Sequence, residues 1–419
     1  MPDPKELLRQ LADAAIRAAD PSVRVPPILP EPPKKAIVLG AGKASAAMAC
    51  AIETAWPDTD LSGIVVTRYG YEVACDRVDI VLAAHPVPDE AGREAARRIL
   101  EMAEGAKQDD LVIALMSGGG SALLTAPADG ITFEEKQEVN RQLLRCGADI
   151  GEMNTLRKHV SAIKGGRLAA AASPAKVLSI LISDVPGDDP AVIGSGPTVP
   201  DPTTFADAMH VVEKYGLKLP DSVMKHLEAA ASETPKPGDK IFDGNDLIFA
   251  AKPDKSIEAA ADVARNAGFT VIDLGDRVEG EARDVGREHA EMALACKAGS
   301  GKAAAPCVIL SGGETTVTMT GNGRGGRNTE YLLGVAEKLD GADGIYAVAC
   351  DTDGVDGSED NAGAFVDPTT VARARETGLS VSDALAGNDA YSLFENIGDL
   401  LVTGPTYTNV NDFRAVVVT

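Results

Sequence analysis

Ser117-Gly118-Gly119-Gly120-Ser121 follows directly on an apolar run, Leu111 to Met116. The pattern returns as Ser311-Gly312-Gly313-Glu314 after Cys307 to Leu310. A tight turn needs only one or two glycines. A longer glycine stretch can present successive amides in a concavity that binds phosphate oxygens, and Ser117 and Ser121 would add hydroxyls. A plain turn is the competing reading. A third glycine loop, Gly40-Ala41-Gly42-Lys43, lies between a strand and a helix. It is neither a dinucleotide-binding GxGxxG nor a Walker A motif. Amides at that helix start would face an anion, and Lys43 would add charge. The alternative is close strand–helix packing beside a solvated lysine.

Charged residues gather in the remaining loops. "NTLRKHVSAIKGGRLA" holds Arg157, Lys158, His159, Lys164 and Arg167. The bland reading is an amphipathic helix with a solvated basic face. Gly165-Gly166 interrupts it at a cost of roughly 1 kcal/mol per glycine, which suggests close approach by a ligand. His159 reads equally well as a packed side chain and as a catalytic one. Asp184, Asp188 and Asp189 follow an apolar run, and their hard oxygens suit Mg²⁺. Arg324 and Arg327 sit among four glycines before a helix, and their forks suit carboxylate or phosphate. Asp351, Asp353 and Asp356 end another apolar run. Their spacing is that of a calcium loop, but the twelfth position is Ala362 rather than glutamate, so a Mg²⁺–nucleotide site fits better.

Apolar runs at 35–40, 63–67, 79–84, 111–116 and 176–183 alternate with helical patterns near 43–55, 89–104, 132–147 and 156–172. That alternation predicts βαβ units and a parallel sheet. Thr132 and Glu135 have capping-box spacing. A polar, proline-bearing stretch at 231–240 marks a boundary, giving domains 1–238 and 239–419. In the second half, strands are expected at 246–250, 269–274, 307–311, 344–350, 399–404 and 414–419. Helices are expected near 254–267 and 280–297, and 314–320 reads as an antiparallel arm. The fold class is therefore α/β: a doubly wound, mostly parallel first domain and a second domain with a mixed sheet. The strand-end loops would form a site in the cleft between them.

The chain has 419 residues, of which 44% are hydrophobic and 4% aromatic, and a net charge of −23. Full cores are affordable on that composition, whereas base-stacking platforms are not. So acidic a surface repels nucleic acid and anionic membranes, and neither is expected as a partner. The six cysteines form no CxxC and read as free thiols in a reducing cytoplasm. The charged amphipathic N-terminus is not a signal peptide, and no apolar run is long enough for a membrane span. A homo-oligomer is compatible with these features.

Taken together, "GAGKASAAMA", "AHPVPDEAG", "LMSGGGSALL", "NTLRKHVSAIKGGRLA", "SDVPGDDPAVIGSGPTVPD", "SGGETTVTMTGNGRGGRNTE", "DTDGVDGSEDNAGA" and "GPTYTNVND" resemble the glycerate 2-kinase family. They appear in order over nearly the whole chain, with residues 230–300 contributing no motif. The resemblance implies an N-terminal kinase-associated domain, a C-terminal MOFRL domain and ATP-dependent phosphorylation of D-glycerate at its 2-hydroxyl. It also implies Mg²⁺ or another divalent cation. By motif, Lys43 and Arg327 look like the cations at the transferred phosphate, and Asp184, Glu314, Asp351 and Asp353 look like metal ligands or base. Asn409 would be a polar contact. The glycine loops and basic islands would bind nucleotide or phosphate through Gly42, Ser117, Gly118, Gly119, Gly120, Ser121, Lys164, Arg167, Gly312, Gly313 and Arg324. Family members are often labelled hydroxypyruvate reductase, but the chain lacks GxGxxG followed by a ribose-binding acid. A non-catalytic metabolite-binding protein is the remaining alternative.

Overall fold

Short apolar strands that lack polar alternation must be covered on both faces, which is what successive strand–helix–strand crossovers achieve. The computed structural model describes residues 2–419. In it β1 (Lys35–Ala41), β2 (Asp60–Arg68), β3 (Val78–Ala83), β4 (Leu111–Met116), β5 (Lys176–Ile182) and β6 (Asp246–Ala251) form one sheet. The spatial order is β3-β2-β1-β4-β5-β6. The pairs β1–β2, β2–β3, β1–β4 and β4–β5 are all parallel. The strand order reverses between β1 and β4. At such a switch point the loops leaving the two strands diverge to opposite faces and open a crevice. Gly42-Lys43 leaves β1 there, and Ser117-Gly118 leaves β4.

The second sheet contains β7 (Thr270–Asp273), β8 (Cys307–Gly313), β9 (Ile345–Asp351), β10 (Gly363–Val366), β11 (Leu400–Leu401) and β12 (Asp412–Val418), in the order β11-β10-β9-β12-β8-β7. Only β7–β8 is parallel among its pairs, so the sheet is mixed as expected. The chain's last strand, β12, lies between β8 and β9 and is buried along its whole length. One face of this sheet packs on Tyr331, Leu332 and Val335. The other packs on Ile257, Ala260 and Ala261, together with Leu7, Leu8, Leu11, Ala12 and Ala15 of the N-terminal helix Pro4–Arg17.

That last contact changes the domain boundaries. The two compact units are residues 24–250 and, as the other, the segment through Val23 with 251–419. The N-terminal helix buries its apolar stripe in the second unit, and β6 completes the first sheet, so the division 1–238 and 239–419 is displaced at both ends. Three other expectations also change. Residues 314–320 form no strand; they make a single bridge, Thr316 to Glu281, and the Thr318 amide donates to the Glu281 carboxylate (3.0 Å). The helix expected over 156–172 is two, Ile150–His159 and Arg167–Ala172, parted at Gly165 and Gly166, both at positive φ. Strand β10 is not among the expected strands, because its four residues follow an acidic glycine-rich run with no periodic signal.

Candidate active site

In the first unit the β1 and β4 loops are bonded to each other. The Lys43 amide donates to the Gly118 carbonyl (2.9 Å) and the Ala44 amide to Ser117 Oγ (3.0 Å). The Gly42 amide donates to the Val66 carbonyl (3.1 Å). These three amides are therefore committed within the protein. Gly42 has φ +134°, and a Cβ there would lie 2.2 Å from Ser117 Oγ and 2.6 Å from its carbonyl oxygen. Close packing accounts for this glycine, while the half-buried Lys43 is placed at the crevice directly after β1.

Gly119 has φ +81° and precedes the short helix Gly120–Leu123; a Cβ there would meet the His85 ring at 3.1 Å. Ser121 is tied inward. Its Oγ lies 2.7 Å from Ser195 Oγ, and Ser195 donates to Asn154 Oδ1 (3.0 Å). Lys164, 2% exposed, donates from Nζ to the Ser121 carbonyl (2.7 Å), with Ser121 Oγ and the Gly194 carbonyl each at 3.4 Å. Burial, with Lys136 and Arg157 nearby, pushes its ammonium well below the ordinary lysine range. Gly165 and Gly166 turn the chain so that their amides meet the carbonyls of Ser195 and Gly196 (3.1 and 2.8 Å). Lys164 and the glycine pair thus fasten the 117–121 and 194–196 loops together. Arg167 is likewise held, by the Ser232 carbonyl (2.6 Å) and Oγ (3.3 Å). His159 is packed: Nδ1 lies 2.7 Å from the Thr155 carbonyl, Nε2 lies 2.9 Å from Glu233, and its ring meets Phe205 edge-on. Asp184 stands half-buried just past the end of β5.

In the second unit the site is an arginine grasped by three acids. Arg327 is the first residue of helix Arg327–Leu339. Its Nε donates to Asp412 Oδ1 (2.8 Å), Nη1 to Glu314 Oε1 (2.8 Å) and Nη2 to Asp351 Oδ2 (2.9 Å). Burial alone would lower the guanidinium's proton affinity, but Asp412, Asp351 and Glu314 outweigh it and hold the group firmly charged. Strand register brings the acids together: Asp412 opens β12 opposite both Gly313 and Asp351, the ends of β8 and β9. Asp412 is held in turn by Asn328 Nδ2 (2.8 Å) and by the buried Arg414, which also reaches Thr315 (3.1 Å) and lies over the Tyr331 ring. A cavity of 220 Å³ adjoins Arg327, lined in part by Thr315, Gly325 and Gly326.

The other acidic positions divide. Asp351 Oδ1 accepts from the Asp353 amide (3.0 Å), and Asp353 Oδ1 from that of Val355 (2.9 Å). Asp356 does not join them. It is wholly buried and accepts from the amides of Asn328 and Thr329 (2.9 and 2.8 Å), so it caps the arginine's helix. Burial raises its carboxyl, against those two amides. Among the described residues no three His, Cys, Asp or Glu side chains are grouped to cage a metal ion. The donor set instead fits an ion that keeps most of its ligands from phosphate and water, which needs only one or two carboxylates. Asn409 is buried and accepts from the Asn411 amide (3.2 Å). Arg324 points elsewhere: it pairs with Glu359 (2.6 Å) and lies 4.3 Å over the Tyr391 ring. The second SGG loop is also tied within its own unit. The Gly312 amide donates to Gly275 (2.9 Å), and a Cβ on Gly313, φ +116°, would lie 2.4 Å from Val278.

Sequence reasoning missed Asp412, and it grouped Asp356 with Asp351 and Asp353 where the structure makes it a helix cap. Asp412 lies in a motif that was read for its asparagine, and only strand register places it against Arg327.

A Rossmann-ordered sheet with lysine and glycine loops at its switch point, and a mixed α/β unit with a caged arginine, define a two-unit α/β enzyme built for anionic substrates. The sequence matches a domain of unknown function, DUF4147, over residues 7–228 and the MOFRL family over 307–412. The chain belongs to the glycerate 2-kinase family. It is 38% identical to a D-glycerate 2-kinase of Thermotoga maritima over 97% of each chain. A crystal structure of glycerate kinase from that organism superposes with a TM-score of 0.91 at 37% identity, covering 99% of both chains. A protein of Agrobacterium vitis named putative hydroxypyruvate reductase is 52% identical over 99% of this chain and 94% of its own length.

Proposed function

We propose that this protein transfers the γ-phosphoryl group of ATP to the 2-hydroxyl of D-glycerate, giving 2-phosphoglycerate and ADP. The observation that carries the reading is Arg327, fixed by Asp412, Asp351 and Glu314 at the ends of three strands. Phosphoryl transfer asks a protein mainly for positioning and for charge against the equatorial oxygens. A guanidinium held by three acids is pre-oriented, so little reorganisation accompanies its use. Lys43 supplies a second cation, at the switch point where nucleotides bind in this sheet order. Asp184 is assigned as the base that accepts the 2-hydroxyl proton. A divalent cation carried on the nucleotide would neutralise phosphate charge, and Asp351, Asp353 and Glu314 are the carboxylates that would hold it. The six unpaired cysteines and the acidic surface support a cytoplasmic enzyme that works on small molecules, without nucleic acid or membrane partners. No helix among the described residues is long and apolar enough to cross a membrane.

The test is coupled detection of ADP with D-glycerate, L-glycerate and related hydroxyacids, followed by identification of the product as 2- or 3-phosphoglycerate. ADP formation with D-glycerate and a 2-phosphorylated product is expected. Oxidation of NADH by hydroxypyruvate, with no ADP formed from D-glycerate, would replace this reading with the reductase.

A further inference from the structure

A second cavity in the first unit, 390 Å³, opens beside Gly119 of the first SGG loop. Its volume falls within the range of about 300–1,000 Å³ typical of small-molecule sites. Its rim is apolar: Val87 and Leu144 are 66% and 70% exposed there, among the most exposed large hydrophobic side chains of the protein. Its polar wall comes from helix Phe133–Cys146, where Gln137 and Asn140, three residues apart, share a face.

Both amides have a fixed orientation. Gln137 Nε2 donates to the Pro88 carbonyl (2.8 Å), which can only accept, so Oε1 remains an acceptor. Asn140 Oδ1 accepts from Arg157 Nε (3.3 Å), which can only donate, so Nδ2 remains a donor. Adenine offers the complementary pair: an amino donor at N6 beside a ring-nitrogen acceptor. Hypoxanthine and guanine carry an oxygen at that position, which the anchored Gln137 oxygen would oppose. Arg157 also lines the cavity, and no carboxylate lies within ion-pair distance of it among the described residues. Two buried lysines stand nearby, Lys136 and Lys164, whose amines meet only carbonyl and hydroxyl oxygens, so the wall's charge comes from Arg157. This wall is suited to a ligand that carries negative charge.

We propose that this pocket holds the adenosine end of ATP, with the base against Val87 and Leu144 and its amino edge read by Gln137 and Asn140. Arg157 is a positioning residue, holding Asn140 and giving the wall its charge. The phosphates would extend toward the adjoining Gly119 loop. The proposal rests on the kinase reading but is tested apart from it, through ADP binding as well as turnover. Two variants are used. Gln137→Leu removes the acceptor, and Leu144→Asp, at an exposed rim position, places a carboxylate against the base.

In the native enzyme kcat/KM for ATP should exceed that for ITP. Gln137→Leu should lower the ATP-to-ITP ratio roughly tenfold, about one well-placed hydrogen bond, with KM for D-glycerate unchanged. Leu144→Asp should weaken ADP binding, measured by calorimetry, with the thermal unfolding midpoint kept. If the native protein binds ADP, loses it in Leu144→Asp and yet phosphorylates no hydroxyacid, the pocket stands and the kinase reading falls. If the enzyme is active while both variants keep native ADP affinity and the native ATP-to-ITP ratio, the pocket assignment is overturned. It is overturned equally if KM for D-glycerate rises and the nucleotide parameters do not move.

Discussion

Replacing Arg327 with methionine keeps the unbranched apolar stem and removes the guanidinium, leaving three acids without their shared partner. Their exposures decide the cost. The Glu314 side chain is 50% exposed and can turn into water at almost no penalty. Asp412 is fully buried but keeps Arg414 and Asn328. Asp351, 9% exposed, bears most of the loss. Breaking a buried pair by deleting one partner costs about 3–5 kcal/mol. Arg327 itself is 24% exposed, so we expect a smaller loss, about 2–3 kcal/mol at neutral pH. Denaturant midpoints followed by circular dichroism at neutral pH should show this deficit. Turnover should fall by roughly 10²–10³, the size of one lost charge-stabilising donor. Arg327→Lys should recover little, because one ammonium cannot meet three separate carboxylates as the planar fork does. A native unfolding midpoint would refute the account of the cage, and near-native kcat would refute the role given to Arg327.

Three further outcomes follow from particular contacts. Gly42→Ala places a Cβ 2.2 Å from Ser117 Oγ at a φ that L-residues avoid, and should cost at least about 3 kcal/mol with ATP present or absent; a native unfolding midpoint would show that the two loops can part. Gly119→Val, at φ +81° beside the His85 ring, should raise KM for ATP while the protein stays folded; unchanged KM would reduce the SGG loop to a turn. Lys136 is buried against the carbonyls of Ala126 and Val160, and burial, with Arg157 and Arg167 nearby, lowers its ammonium to about 7. Its unfolded value is about 10.4, so the unfolded state holds the extra proton between these limits and native stability rises with pH across them. Lys136→Met should remove that rise, so thermal midpoints of the two proteins should differ most in the variant's favour near pH 7. A constant difference from pH 7 upward would mean that Lys136 is not buried as a neutral amine.

Much of this molecule was legible in its residues because local rules governed it. Apolar runs of five to eight residues separated by amphipathic helices are sufficient for a parallel sheet, and every strand of the first sheet lies within a few residues of its expected place. Thr132 and Glu135 do form a capping box, since that device needs only four consecutive residues. Lys43, Arg327 and Asp351 stood out because charge beside or close to glycine at an element's end is uncommon in a core. What remained hidden depended on distant partners. Amphipathicity announced the N-terminal helix but could not say which sheet its leucines would cover; it crosses the chain to join residues 251–419. Glycine composition could not separate an anion cradle from close packing, because both call for a missing Cβ. The atoms that decide it for Gly42 and Gly313 belong to Ser117 and Val278. Asp412 and Arg327 are 85 residues apart, and only the antiparallel seating of β12 between β8 and β9 makes one the counter-ion of the other. Sequence determines which groups are available and what each strand or helix can hide; the register and the packing of remote segments decide which of those groups meet.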